Sequence, residues 1–259
     1  TLAARPGPRV VADNNALPVL MLDTGGHMAV VKGIAFTPDG SQLVTAAEDK
    51  LVRVWDWKAG KTVRTIRGNV GPGTEGQIYG MALSPNGRWL ATGGWMSMPG
   101  QPGHMARLYD FSTGKLVTLL KGHNNIVNNL SFSPDSRRLI SGGSDNQAII
   151  WDLDNLRLQH RLVGHNDIIH AVAFTPDGRT LVSGCALGSV RLWDLTNLDW
   201  RTLHRDEGSE PAAGIAFSAD PTRAAVGWRH GEIEIWDTVA RTRDRRLDSG
   251  VRIRHLDWS

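Results

Sequence analysis

The chain has 259 residues, 41% hydrophobic and 21% charged, the make-up of a globular protein rather than of a disordered or fibrous one. Its formal charge of +3 is too mild to argue for nucleic acid, and no apolar run approaches the roughly 18–20 residues that a membrane-spanning helix needs. One cysteine, Cys185, excludes an internal disulfide framework and fits a reducing, cytoplasmic setting; the opening Thr1, with no signal-peptide pattern behind it, reads as a piece of a longer or processed chain.

From the front, Thr1–Ala4 (TLAA) matches the start of a strand that recurs as Thr180–Ser183 (TLVS), and Arg9–Ala12 and Leu17–Leu22 read as two more short strands. Gly26–Asp56 then begins a series: it opens on Gly-His and closes on Trp-Asp, and it returns as Gly122–Asp152 and Gly164–Asp194. The closing pairs begin at Trp55, Tyr109, Trp151, Trp193 and Trp236, in steps of 54, 42, 42 and 43 residues. The long first step is absorbed by two Gly/Pro-rich loops, Asn69–Gly76 and Trp95–His104. In the most regular unit, Ile126–Ser133 is a strand with Val127, Leu130 and Phe132 on its buried side. A Pro134-Asp135-Ser136 turn follows, and then strands over Arg138–Gly142, Ala148–Asp152 and Leu158–Leu162. Val251–Ser259 reads as one more first strand, Leu256 and Trp258 standing where Leu130 and Phe132 stand.

Units of about 40–45 residues with this opening and closing, and with FTPDG or FSPDS turns inside, resemble the WD-repeat (WD40) family, in which each repeat builds one propeller blade. The resemblance covers nearly the whole chain. It implies an all-β fold: a WD40 β-propeller of six four-stranded blades forming a single domain over residues 1–259. The blades are expected at about 29–67, 77–121, 125–163, 167–204 and 212–247. The sixth combines 251–259 with 1–22, so that C-terminal strand a pairs with N-terminal strands b, c and d and closes the ring. The alternative is a fragment of a seven-bladed or longer array. The turn and strand-end sequences look like the prokaryotic branch of the family, where such propellers are attached to a caspase-like protease or a protein kinase in bacterial multidomain proteins.

The family also implies a buried polar tetrad in each blade. Blade 1 has His27, Thr45, Asp49 and Trp55, and blade 3 has His123, Ser141, Asp145 and Trp151. Blade 4 keeps His165, Ser183 and Trp193 but has Leu187 at the aspartate place. Blade 2 has Met96 at that place, and blade 5 has Val226 and His230 at the hydroxyl and aspartate places. A His/Asp/Ser set invites a hydrolase reading. Its recurrence in two blades and the need of a buried indole N–H for a partner favour a structural role. No catalytic, cofactor or metal site is expected. Cys185 lacks a dedicated base, His165 and His170 have no further ligand at metal spacing, and Gly93-Gly94 and Gly142-Gly143 end strands rather than open helices. The arginines at 241, 243, 245, 246, 252 and 254 are read mainly as a solvated outer edge.

The expected function is a non-catalytic scaffold or sensor holding a protein or peptide on the face of the b–c and d–a loops. Its candidate contacts are Trp95, Met96, Met98 and His104 in the blade 2 insertion and Trp228, Arg229 and His230 in the blade 5 turn, since indole, thioether and guanidinium groups are what interfaces are built from. Two other readings stand beside it. One is a small-ligand or glycan-binding propeller; the other is an enzyme with its site in the channel, where Lys32, Asn128, Asn129 and His170 are the nearest candidates.

Overall fold

The computed structural model describes residues 25–68, 71–96, 104–204, 211–218, 222–240, 242–253 and 256. Within them lie twenty strands in five four-stranded antiparallel sheets, each formed by strands consecutive in sequence. The first sheet holds β1 (Val31–Phe36), β2 (Leu43–Ala47), β3 (Leu51–Asp56) and β4 (Lys61–Arg67), and the second β5 (Ile78–Leu83), β6 (Trp89–Gly94), β7 (His104–Asp110) and β8 (Leu116–His123). The third holds β9 (Val127–Phe132), β10 (Arg138–Gly143), β11 (Gln147–Asp152) and β12 (Arg157–Val163), and the fourth β13 (Ile169–Phe174), β14 (Thr180–Cys185), β15 (Val190–Asp194) and β16 (Trp200–His204). The fifth holds β17 (Ala212–Phe217), β18 (Arg223–Trp228), β19 (Glu232–Asp237) and β20 (Thr242–Asp248). The strands expected over residues 1–22 lie outside the described residues.

First strands stack in series, β1 on β5, β5 on β9, β9 on β13 and β13 on β17, and the core lies between sheets. One cluster joins Val44, Val52 and Ile66 to Ile78, Leu90 and Met105; others bridge the second and third, third and fourth, and fourth and fifth sheets. The contact is made through a small residue on the second strand, Ala46 in the first sheet and glycine in the other four. A Cβ on Gly142 would lie 2.7 Å from Ile169 and 3.0 Å from Val172 of the next sheet, closer than carbon atoms pack. Gly227 of β18 meets Leu256 and Ile253 in the same three-residue spacing. Ile253 and Leu256 thus lie on the fifth sheet as Ile169 and Val172 lie on the third. At the opposite flank, Val31, Ile34 and Phe36 of β1 are 46–58% exposed, whereas the matching Val127, Leu130 and Phe132 are buried.

Hydrogen-bond chains run inside the blades. In the third sheet the Trp151 indole N–H donates to Ser141 Oγ (2.8 Å), which lies 2.7 Å from His123 Nε2, and His123 Nδ1 lies 3.0 Å from the Asp145 carboxylate. A carboxylate only accepts, so Nδ1 of His123 carries a proton directed at Asp145. Asp145 also receives the N–H of Asn124 at 2.8 Å. Burial alone would raise its pKa; hydrogen bonding from His123 and the pull of that ring outweigh this and hold it below the usual value. The first sheet repeats the chain through Trp55, Thr45, His27 and Asp49.

The fourth sheet breaks it at one end. Trp193 and His165 meet Ser183 Oγ at 2.7 and 2.6 Å, but Leu187, half exposed, offers nothing to His165 Nδ1, which is buried with no hydrogen-bond partner. Burial, assisted by the charge of Arg191, pushes the His165 pKa down to about 3. In the second sheet Tyr109 replaces the tryptophan and bonds Thr92 and Arg107. In the fifth, with Val226 at the hydroxyl place, the Trp236 indole donates instead to Glu234 (3.0 Å), whose other oxygen takes Arg243.

Two outcomes follow for denaturation experiments. Asp145→Ala leaves buried donors without an acceptor and is expected to cost about 1–3 kcal/mol. Leu187→Asp gives His165 Nδ1 the acceptor it lacks and is expected to stabilise by about 1 kcal/mol at neutral pH. The pH dependence follows from the lowered His165 pKa. As pH falls below the ordinary 6.5 the unfolded chain takes up this proton first, so wild-type stability drops from there down to about 3. In the Leu187→Asp variant that drop is expected to be shallower, as read from urea midpoints taken across this range.

Candidate functional site

The second residue of each first strand is the unpaired residue of a β-bulge, where the register with the second strand shifts, and it lines the central channel. Lys32, Tyr79, Asn128, His170 and Ala213, one from each sheet, line a cavity of about 490 Å³ together with Asn129, Arg229, Arg252 and Ile253. These first-strand residues sit at the end where the d–a loops enter, and Arg229 comes from the b–c turn after β18, so the cavity is the channel mouth on the b–c/d–a face.

The walls are tied down by bonds across and along blades. Asn128 Nδ2 donates to Ser144 Oγ (2.9 Å) and to the Ile169 carbonyl of the next sheet (3.1 Å), and Asn129 Oδ1 accepts the Val172 N–H (3.2 Å). Lys32 pairs with Glu48 at 2.9 Å and lies over the Tyr79 ring, whose hydroxyl donates to Gln77 (2.9 Å). Burial first, and the nearby Arg229 charge second, push the His170 pKa down to about 4, with Asp167 opposing only in part. The ring is therefore uncharged at neutral pH. Of the four channel residues named from sequence, all line this cavity; Tyr79 and Glu48 were missed, although Tyr79 holds the same strand position as Lys32 and His170.

The aromatic candidates separate into two groups. Trp95 is 39% exposed beyond the end of β6, its indole edge-on to the half-buried His104 ring at 5.8 Å. Burial lowers the His104 pKa, and the charge of His123 adds to this. Met98 lies outside the described residues. Met96 is not the surface residue expected: it is fully buried in the core between the first and second sheets. Trp228 is likewise not a turn residue. It is the last residue of β18, 2% exposed, packed with Val182, Val190 and Trp236 between the fourth and fifth sheets.

The displacement has a steric cause. By register Trp228 stands where Ala47, Gly94, Gly143 and Cys185 stand in the other sheets, opposite Ala212 where the others have valine or isoleucine. A Cβ on Gly143 would lie 2.5 Å from His123, so the tetrad histidine is what forbids a large residue there. The fifth repeat has Gly208, not histidine, four residues before β17, and Trp228 is the large buried residue of that sheet's b–c end. The second repeat also lacks the histidine, and there Met96 is the large buried residue. The sequence signal was this coupled change: a histidine lost and, on β17 and β18, large and small residues exchanged.

His230 is exposed and bonds Glu232 at 3.0 Å, and Arg246 grips the same carboxylate. Arg243 is held by Glu234, so two arginines of the outer basic cluster are spent on the flank of their own sheet. Among the described residues there is no cluster of three or more His, Cys, Asp or Glu side chains that would hold a metal ion, and no helix long and apolar enough to cross a membrane. Cys185 is buried at the end of β14.

Comparison with known proteins places this geometry. The chain is 30% identical over 117 residues to nuclear distribution protein PAC1 of Coccidioides posadasii, a match covering 42% of this chain and 22% of that protein. It is 30% identical over 125 residues to protein HIR1 of Phaeosphaeria nodorum, covering 44% and 11%. Over 148 residues it is 26% identical to the uncharacterized WD repeat-containing protein sll1491 of Synechocystis, covering 57% and 39%. The chain therefore spans well under half the length of these relatives. Among solved structures, U3-55K superposes with a TM-score of 0.74 at 20% identity, over 86% of this chain and 65% of that one, which is a likeness of fold. The family model described as WD domain, G-beta repeat matches residues 19–56, 60–98, 114–152 and 156–194, leaving out the fifth sheet, whose tetrad is replaced. With these four matches spanning more than half its length, the chain belongs to the WD40-repeat family.

Proposed function

We propose that this propeller is a non-catalytic platform that holds a protein or peptide partner on its b–c/d–a face. The observation that carries the reading is the channel mouth: a cavity walled by one side chain from each of five sheets, braced by cross-blade hydrogen bonds, with no carboxylate among its described lining residues. A channel enzyme needs an acid–base pair poised at a reacting group, and the titratable groups of that described lining are a neutral imidazole, a phenol and cations. Rigid walls favour binding, since little order is lost when a partner docks. Trp95, half exposed beside His104 at the end of β6, extends the face outward as an aromatic anchor. A bacterial, cytoplasmic, multidomain setting belongs to the same proposal, supported by the cyanobacterial relative.

The ring itself we read as six blades, with residues 1–22 supplying strands b, c and d beside the C-terminal strand. Two facts support this: Ile253 and Leu256 lie on Gly227 in the spacing of a first strand, and β1 exposes the apolar side that the third sheet buries. Removing residues 251–259 is then expected to uncover the flank of β18 and to cause aggregation, read by light scattering. A stable monomer after that deletion would instead leave the ring open to further repeats.

Peptides selected from a random display library on the immobilised protein test the platform. They are expected to compete with one another and to slow amide exchange at the starts of β1, β9 and β13. Trp95→Ala is expected to weaken them by roughly 1–2 kcal/mol at unchanged melting temperature. Trp228→Ala should do the reverse, costing about 3 kcal/mol or more of stability through the cavity it leaves. Protection confined to the outer strands would move the partner away from the mouth.

A further inference from the structure

The mouth has unspent polar capacity of one sign. Arg229 and Arg252 both line the cavity, and among the described residues neither side chain has a hydrogen-bond or ion-pair acceptor. Other arginines of the same sheet are neutralised: Arg243 by Glu234, Arg246 by Glu232 and Arg223 by Asp244. The nearby carboxylates are in use as well, Glu48 on Lys32 and Glu232 on Arg246 and His230. The neutral groups are also engaged, the Asn128 amide on Ser144 and Ile169, the Asn129 oxygen on Val172 and the Tyr79 hydroxyl on Gln77. His170 stays uncharged beside Arg229. Among the described lining residues the charged groups left to meet a ligand are two guanidiniums, each offering several N–H donors in a planar fork that fits a carboxylate. Between them the wall includes the apolar side chains of Val31, Ile34, Ala213 and Ile253.

Resting on the platform reading above, we propose that the partner segment is acidic. An aspartate or glutamate side chain of a peptide enters the channel mouth and is gripped by Arg229 and Arg252, while the peptide's methylene groups lie on the apolar wall. An acidic peptide fits better than a nucleic acid, whose phosphates would need a long basic track; the cations here converge on one opening of a chain whose formal charge is only +3.

The test uses fluorescence anisotropy with a labelled peptide of alternating Glu and Ala. Its Gln, Lys and phosphoserine counterparts and a labelled single-stranded oligothymidylate serve as comparisons, each at low and physiological salt. The Glu peptide is expected to bind about tenfold or more tighter than the Gln peptide, and to weaken with salt. R229Q/R252Q is expected to bring it to the Gln level with the melting temperature unchanged. R229E/R252E is expected to turn preference to the Lys peptide, which a loss of folding would not do. Equal binding of Glu and Gln peptides, or indifference to the double variant, overturns the proposal. So does the oligothymidylate competing as strongly for the same arginines, or the phosphoserine peptide alone binding. If display-selected peptides hold this face but are neutral and ignore R229Q/R252Q, the acidic partner fails and the platform stands. If nothing holds this face, both fail.

Discussion

The close approach of each first strand to the second strand of the preceding sheet is the constraint on which the rest depends. Gly93, Gly142, Gly184 and Gly227 accept Val127, Ile169 and Val172, Ala212, and Ile253 and Leu256 at distances that leave no room for a Cβ, while in the first sheet the place is held by the small Ala46. Packing through these positions fixes how neighbouring sheets stack, and the stacking buries the clusters between them. A β-bulge in each first strand then decides what faces the axis. Asn128 and His170 are the unpaired bulge residues that follow Val127 and Ile169, and they line the channel. The channel lining is thus a geometric by-product of blade packing, and its residues vary freely because packing asks nothing of them.

The tetrad is a second, weaker constraint, and its decay around the ring shows what it does. Where it is whole, in the first and third sheets, it closes a donor chain from indole to carboxylate. The fourth sheet has lost only the last acceptor, and a buried imidazole nitrogen is stranded. The second and fifth have lost the histidine, and bulk replaces polarity: Met96 and Trp228 are buried where other blades are small or polar. All five sheets keep four strands in the same order. Blade geometry survives the loss of the network, so its contribution is local stability rather than topology.

This explains which features the sequence announced. Turn chemistry, the Gly-His and Trp-Asp punctuation and the strand-end glycines are local, so the four-stranded unit could be read from single repeats. The channel positions were legible for the same reason, as Lys32, Asn128 and His170 hold one place at the inner end of the first strand of each repeat. Trp228 was misplaced because its burial depends on a residue sixteen positions away, the small Ala212 across the strand pair, where the other sheets have valine or isoleucine. An aromatic beside a turn looks exposed until that coupling is counted. Trp95 lies beyond the last β6 residue and stays partly in solvent.

The same reasoning locates the chemistry that the fold leaves over. A side chain that satisfies a buried partner or fills a sheet contact is accounted for by stability, and that description covers Met96, Trp228, His123, Glu232 and Glu234. Arg229 and Arg252 do neither: they lie at the channel mouth with their donors directed to no acceptor among the described residues. Arginine carries a high rotamer entropy and a charge that water solvates well, so nothing in blade packing selects for it there. Two such residues facing one rigid cavity add no fold stability, and their like charges repel. Positive charge concentrated where the backbone is braced gains its free energy only when an anion arrives, and the braced walls mean that little of that gain is lost to reorganisation.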